Sequence, residues 1–132
     1  MARPASTYPT QLELELLKIL WREHPATVRM VRDALAETGR DLAYTSVMTT
    51  LSVMYNKGYL KRKKVGMGYE YQPKVAREKT VSKMMRDLID RAFGGSPSAA
   101  VLNLLKTTDI DKREMQRIRD LVSGKEVAVE EE

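Results

Sequence analysis

Four cations in unbroken series, Lys61, Arg62, Lys63 and Lys64, sit in a segment that otherwise has the pattern of a β-strand. Side chains alternate between the two faces of a strand, so this one is positive on both and cannot be buried inside a sheet. Any sheet in the chain is therefore small and peripheral, and the core must come from helices. The strand is expected over residues 59–65, followed by the glycine-bracketed turn Gly66-Met67-Gly68 and a second strand over 69–72 that Pro73 closes. The plain reading of this basic hairpin is an edge guarded by lysines against aggregation. Its amino-terminal neighbour favours a phosphate-contacting wing instead.

That neighbour is a helix following Asp41. Val47, Leu51, Met54 and Tyr55 share one side at the spacing of a buried stripe. Thr45, Thr49, Ser52 and Asn56 occupy the other. Short hydroxyl and amide side chains are mediocre helix formers, whereas their donors, acceptors and methyl groups suit base edges in a major groove. Lys57-Gly58 stops the helix, with a cation in the last turn and a glycine able to take positive φ.

Upstream, residues 1–9 have the composition of a flexible arm, with Arg3 able to touch a phosphate. Thr10 and Glu13 match a capping box for a first helix that ends near Glu23 and buries Leu12, Leu16, Ile19 and Leu20. Trp21, the single tryptophan, is expected in the core, and His24, the single histidine, as a surface cap. Thr27 caps a second helix that buries Val28, Val31, Ala34 and Leu35 and stops at Gly39. The Thr27 hydroxyl, the free amides of that first turn and Arg29 favour an anion such as a DNA phosphate. The plain alternative is a simple cap beside a solvated arginine. Helix, helix, turn, helix and wing is the order of a winged helix-turn-helix, expected over residues 1–74.

Beyond Pro73 the pattern changes. Val81, Met84, Met85, Leu88, Ile89, Ala92 and Phe93 recur at threes and fours along a fourth helix, which Gly94-Gly95 breaks. Ser96-Pro97 opens a fifth, apolar nearly all round through Val101, Leu102, Leu104 and Leu105. Asp111 and Glu114 make a second capping-box match before Met115, Ile118, Leu121 and Val122. These helices, over 75–123, carry more apolar surface than they can bury on themselves. A two-fold homodimer would cover it, and docking on the wing domain is the alternative. Residues 124–132 are expected as an acidic, disordered tail. The fold class is thus mainly α with a small β-hairpin: a winged helix-turn-helix domain followed by a helical dimerisation domain.

The net charge of +5 sharpens this division. Residues 1–74 hold 12 Lys+Arg against 7 Asp+Glu, and residues 75–132 hold 11 of each, so the whole excess lies in the first part. That is the distribution of a chain that meets a polyanion with one half only. There is no cysteine, hence no disulfide and no thiolate metal site, and no metal or cofactor is expected. No apolar run approaches the roughly 20 residues of a membrane span, and the amino terminus lacks a secretion signal, so a cytoplasmic protein without a membrane partner is expected. With one histidine, no glycine-rich phosphate loop, and Glu13 and Glu15 pointing apart, an enzyme is not expected. Two binding functions remain: sequence-specific duplex recognition, or a winged-helix module for an acidic protein partner. Only the first discriminates among DNA sequences.

ELELLKILW, ATVRMVRDAL, DLAYTSVMTTLSVMYNKGYLKRKK and FGGSPSAAVLNLL, in this order and spacing, resemble the penicillinase repressors of the BlaI/MecI type, a family with copper-responsive relatives. The resemblance covers nearly the whole chain. It implies a homodimeric transcriptional repressor on a palindromic operator, with Thr45, Ser46, Thr49 and Ser52 at groove-facing positions. It also implies relief by proteolysis in the dimerisation region through a sensor protease; the pair matching the family's cleaved Asn-Phe bond is Asn103-Leu104. Val53 departs from the arginine that related sequences often carry there. The absence of cysteine removes the copper response of the other branch.

Overall fold

The computed structural model describes residues 8–131, with side chains through Gly124. Arg3 and most of the amino-terminal arm lie outside that range, as does Glu132. The chain divides into two compact units, one ending at Asp87 and the other beginning at Leu88.

In the first unit α1 (Gln11–Arg22) starts on the expected capping box. Thr10 Oγ1 accepts the Glu13 amide at 3.2 Å, and Glu13 Oε1 accepts the Thr10 amide at 2.8 Å. Thr27 caps α2 (Val28–Glu37) by accepting the Met30 amide. α3 (Tyr44–Asn56) ends at Gly58, whose φ of +87° is strained for any residue with a Cβ. The wing pairs β2 (Leu60–Val65) with β3 (Gly68–Pro73) in antiparallel register, Leu60 opposite Pro73 and Val65 opposite Gly68, so Gly66-Met67 forms a tight two-residue turn.

A third strand joins the expected hairpin. β1 (Ala26–Thr27) pairs with β3 through Ala26 opposite Tyr71 and Thr27 opposite Glu70, giving the sheet order β1-β3-β2. Two residues carry no readable alternation, and their partners lie far along the chain. β1 also delivers the Thr27 cap, so the start of α2 is tied directly to the wing.

Leu16, Leu17 and Leu20 of α1, Val31 and Leu35 of α2, and Val47, Leu51 and Met54 of α3 form one buried cluster with Leu60 and Tyr71 of the wing. Burying each large apolar side chain contributes about 1.5–3 kcal/mol. Leu17 joins the expected stripe of α1, and Leu12 is only half-buried. Tyr55, expected with Val47 and Leu51, is instead 37% exposed. It lies at the edge of the stripe, where the core ends and the wing begins. Trp21 packs against the cluster as expected, and its Nε1–H donates to the Val75 carbonyl at 2.9 Å. Val75 is half-buried and Thr80 buried, so the first unit runs past the change of composition at Lys74 into α4 (Arg77–Ala92).

In the second unit Gly94 and Gly95, both at positive φ, end α4. Ser96 Oγ accepts the Ala99 amide to cap α5 (Pro97–Thr107). Asp111 Oδ1 accepts the Glu114 amide at 2.7 Å before α6 (Lys112–Glu131). The last helix is continuous past residue 124, where the sequence pattern placed a tail. Lys, Glu and Ala in this stretch are strong helix formers, and one interior glycine, Gly124, costs about 1 kcal/mol, too little to stop a helix already propagating.

Candidate nucleic-acid interface

The alternation of β2 decides what each cation of the wing can do. Leu60 is buried, so Arg62 and Lys64 share its inward face, and Lys61 and Lys63 stand on the outward one. Lys61, Lys63 and Lys64 are exposed, while Arg62 is half-buried. Its guanidinium carbon lies 3.9 Å from the ring centroid of Tyr55 and 4.1 Å from that of Tyr69. The cation is stacked between the end of α3 and β3, with Tyr69 tilted against Tyr71 at 6.3 Å. Stacking uses the two faces of the planar guanidinium and leaves its in-plane N–H donors for an anion. Arg62 thus braces the wing against α3 as well as adding charge.

Beside this brace, α3 exposes Thr45, Ser46 and Thr49, while Ser52 is half-buried. Ala43 holds the N-cap without a side-chain acceptor, which leaves first-turn amides for water or an external anion. Thr27 is half-buried and its hydroxyl is committed to the Met30 amide at 3.2 Å; Arg29 is exposed. α3 and the wing adjoin through Arg62 and Tyr55, and the sequence-derived residues on both are exposed except for Ser52 and Arg62.

Sequence reasoning missed the apolar part of this surface. Tyr44, Met48 and Ser52 fall at i, i+4 and i+8 along α3 and line a groove of about 370 Å³ with Val65, Met67 and Tyr69 of the wing. Met67, at the tip of the turn, is fully exposed. The helical spacing is visible in the sequence, but the register of the opposing wing is not.

Two ion pairs stiffen the platform beneath. Glu13 is 3% exposed, and its Oε2 meets Lys57 Nζ, at the end of α3, at 2.8 Å. Glu15 Oε2 lies 3.2 Å from Arg40 Nη2. The two carboxylates are thus each tied to a different cation. Nearby, burial pushes the Tyr59 hydroxyl above its ordinary pKa of 10.0; the Glu13 carboxylate adds to the rise and Lys57 opposes it.

Val81 and Met85 on α4 are exposed, and an apolar series follows them in the second unit. Leu88, Val101, Leu102, Leu105, Leu121 and Val122 are exposed, and Met84, Ile89, Phe93, Met115 and Ile118 are half-buried. Asn103 and Leu104 are exposed within α5. Among the described residues no helix is long and apolar enough to cross a membrane.

A model of the penicillinase repressor family matches residues 9–124, spanning the wing domain and the helices after it. The chain belongs to that family. A transcriptional regulator BlaI of Mycobacterium tuberculosis (strain ATCC 25618 / H37Rv) is 33% identical over 108 residues, covering 80% of this chain and 78% of its own. The methicillin resistance regulatory protein MecI of Mammaliicoccus sciuri is 23% identical over 113 residues, 86% of this chain and 91% of its own. A penicillinase repressor of Staphylococcus aureus is 19% identical over 111 residues, 84% and 87% respectively. The family is one of transcriptional repressors.

Proposed function

We propose that this protein is a sequence-specific DNA-binding repressor that works as a homodimer on a palindromic operator. The observation that carries the reading is the hydroxyl-faced α3 set beside a wing whose outward side is lysine, in the half of the chain that holds all the net positive charge. In this role Thr45, Ser46, Thr49 and Ser52 meet base edges in the major groove. Lys61, Lys63, Lys64, Arg29 and the in-plane edge of Arg62 meet phosphates, which position the protein without reading sequence.

Support for the dimer comes from the exposed leucines and valines of α5 and α6. Leu121 is 64% exposed and Leu102 54%, far more apolar surface than a helical pair keeps in water without a partner. A two-fold pair presents two recognition helices to half-sites about 34 Å apart. Relief of repression by a cut at Asn103-Leu104, made through a sensor protease, is consistent with this interface. Splitting α5 would separate the apolar residues that cover each other and leave two weakly bound halves.

Selection of bound fragments from genomic DNA, with sedimentation of the purified chain, tests the reading. An inverted repeat in the fragments and a two-chain species are expected, and a Leu102→Asp, Leu121→Asp variant should sediment as one chain. A single chain with no preference among duplexes overturns the proposal and favours a protein-binding module. Fragment mass after induction tests the cut: an intact chain removes cleavage from the scheme and leaves operator binding standing.

A further inference from the structure

At the root of the wing, away from the α3 groove, lies a second cavity of about 320 Å³. Its walls are Tyr8, Tyr59, Lys74, Val75, Lys79 and Lys83, with Thr80 at the base. All belong to the first unit. Three features set it apart from an ordinary surface hollow. It has the volume of a small-molecule site. Its lining includes three lysines and no carboxylate, and among the described residues none of the three lysines forms an ion pair. Its remaining walls are two tyrosines and the apolar edges of Pro9, Val75 and Ala76.

We infer that this cavity is a binding site for a small amphipathic anion, an aromatic carboxylate or phosphate monoester. Like charges that converge on a concave surface repel one another and raise the local potential, so an entering anion relieves an existing cost. The ring of such a ligand would lie between Tyr8 and Tyr59, with its charged end toward Lys79 and Lys83. Those two lysines stand four residues apart on α4 and so occupy the same helix face. One side of the cavity is tied down without a ligand: the Lys74 amide donates to the Tyr59 carbonyl at 2.8 Å, and the Trp21 indole N–H donates to the Val75 carbonyl.

That last bond supplies a local probe, because the indole N–H of the only tryptophan ends on a residue of the cavity wall. The test is made on the full chain without DNA, so it stands apart from the operator reading. Benzoate, phenyl phosphate, benzyl alcohol and inorganic phosphate are each titrated while the Trp21 indole N–H resonance is followed. Saturable shifts with benzoate or phenyl phosphate are expected, and whichever binds more tightly identifies the acid group. A Lys79→Gln, Lys83→Gln variant, altered only at exposed side chains, should weaken binding about tenfold. A Lys61→Gln, Lys63→Gln variant on the wing should leave it unchanged. The inference is overturned if neither aromatic anion moves the resonance, if both variants weaken binding equally, or if benzyl alcohol or bare phosphate binds as well as the aromatic anions.

Discussion

Replacing Lys57 by methionine isolates the contact that joins the start of α1 to the end of α3. Lys57 Nζ meets Glu13 Oε2 at 2.8 Å, and Glu13 is 3% exposed. The change leaves a buried carboxylate with the Thr10 amide as its remaining partner. Stranding one member of a buried pair costs about 3–5 kcal/mol, and the partial exposure of Lys57 places this case near 3 kcal/mol. Glu13→Leu removes the charge itself and lets Lys57 turn to water; its cost is the lost half of the capping box, about 1 kcal/mol. In the double variant no charge is stranded, so the loss stays near 1 kcal/mol instead of the additive sum near 4, a coupling of about 3 kcal/mol. Urea unfolding followed through Trp21 fluorescence reads this unit specifically, at fixed protein concentration because association would shift the apparent stability. If Lys57→Met lies within about 0.5 kcal/mol of the parent, or the two single changes simply add, the ion pair does not hold α1 to α3 as argued.

Other outcomes follow from the same geometry. Arg62→Lys keeps the charge but not the planar stack between Tyr55 and Tyr69, and should cost about 1 kcal/mol in the same urea assay; unchanged stability would remove the bracing role. Lys61→Ala with Lys63→Ala should weaken all duplexes alike and lower the slope of log K against log salt by roughly 0.9 per lost phosphate contact. Thr49→Ala should instead narrow the gap between operator and random duplex by about 1–3 kcal/mol, measured by competition binding. Tyr59 ionises at higher pH in the folded chain than its ordinary 10.0, so it adds stability that is complete below that value. That stability is lost as pH rises through the raised pKa. Tyr59→Phe should flatten this alkaline decline, and an identical decline in the variant would show that another group causes it.

Local pattern was enough for the helices and, in α1 to α3, for most of the side that is buried. Val47, Leu51 and Met54 follow from a spacing of three and four, Thr10 and Thr27 cap through atoms within three residues of themselves, and four successive cations forbid a buried strand whatever surrounds them. The charge division also belongs to the sequence, since it counts residues without reference to their positions in space. Tertiary structure decided the rest. β1 exists because Ala26 and Thr27 meet Tyr71 and Glu70, Tyr55 leaves the core because Arg62 offers its ring a cation, and Glu13 is tied to Lys57 across 44 residues of chain. Each of these is a pairing between distant segments whose register depends on how three helices and a sheet close together. The energy of such a contact is set by a distance that no short window of sequence contains.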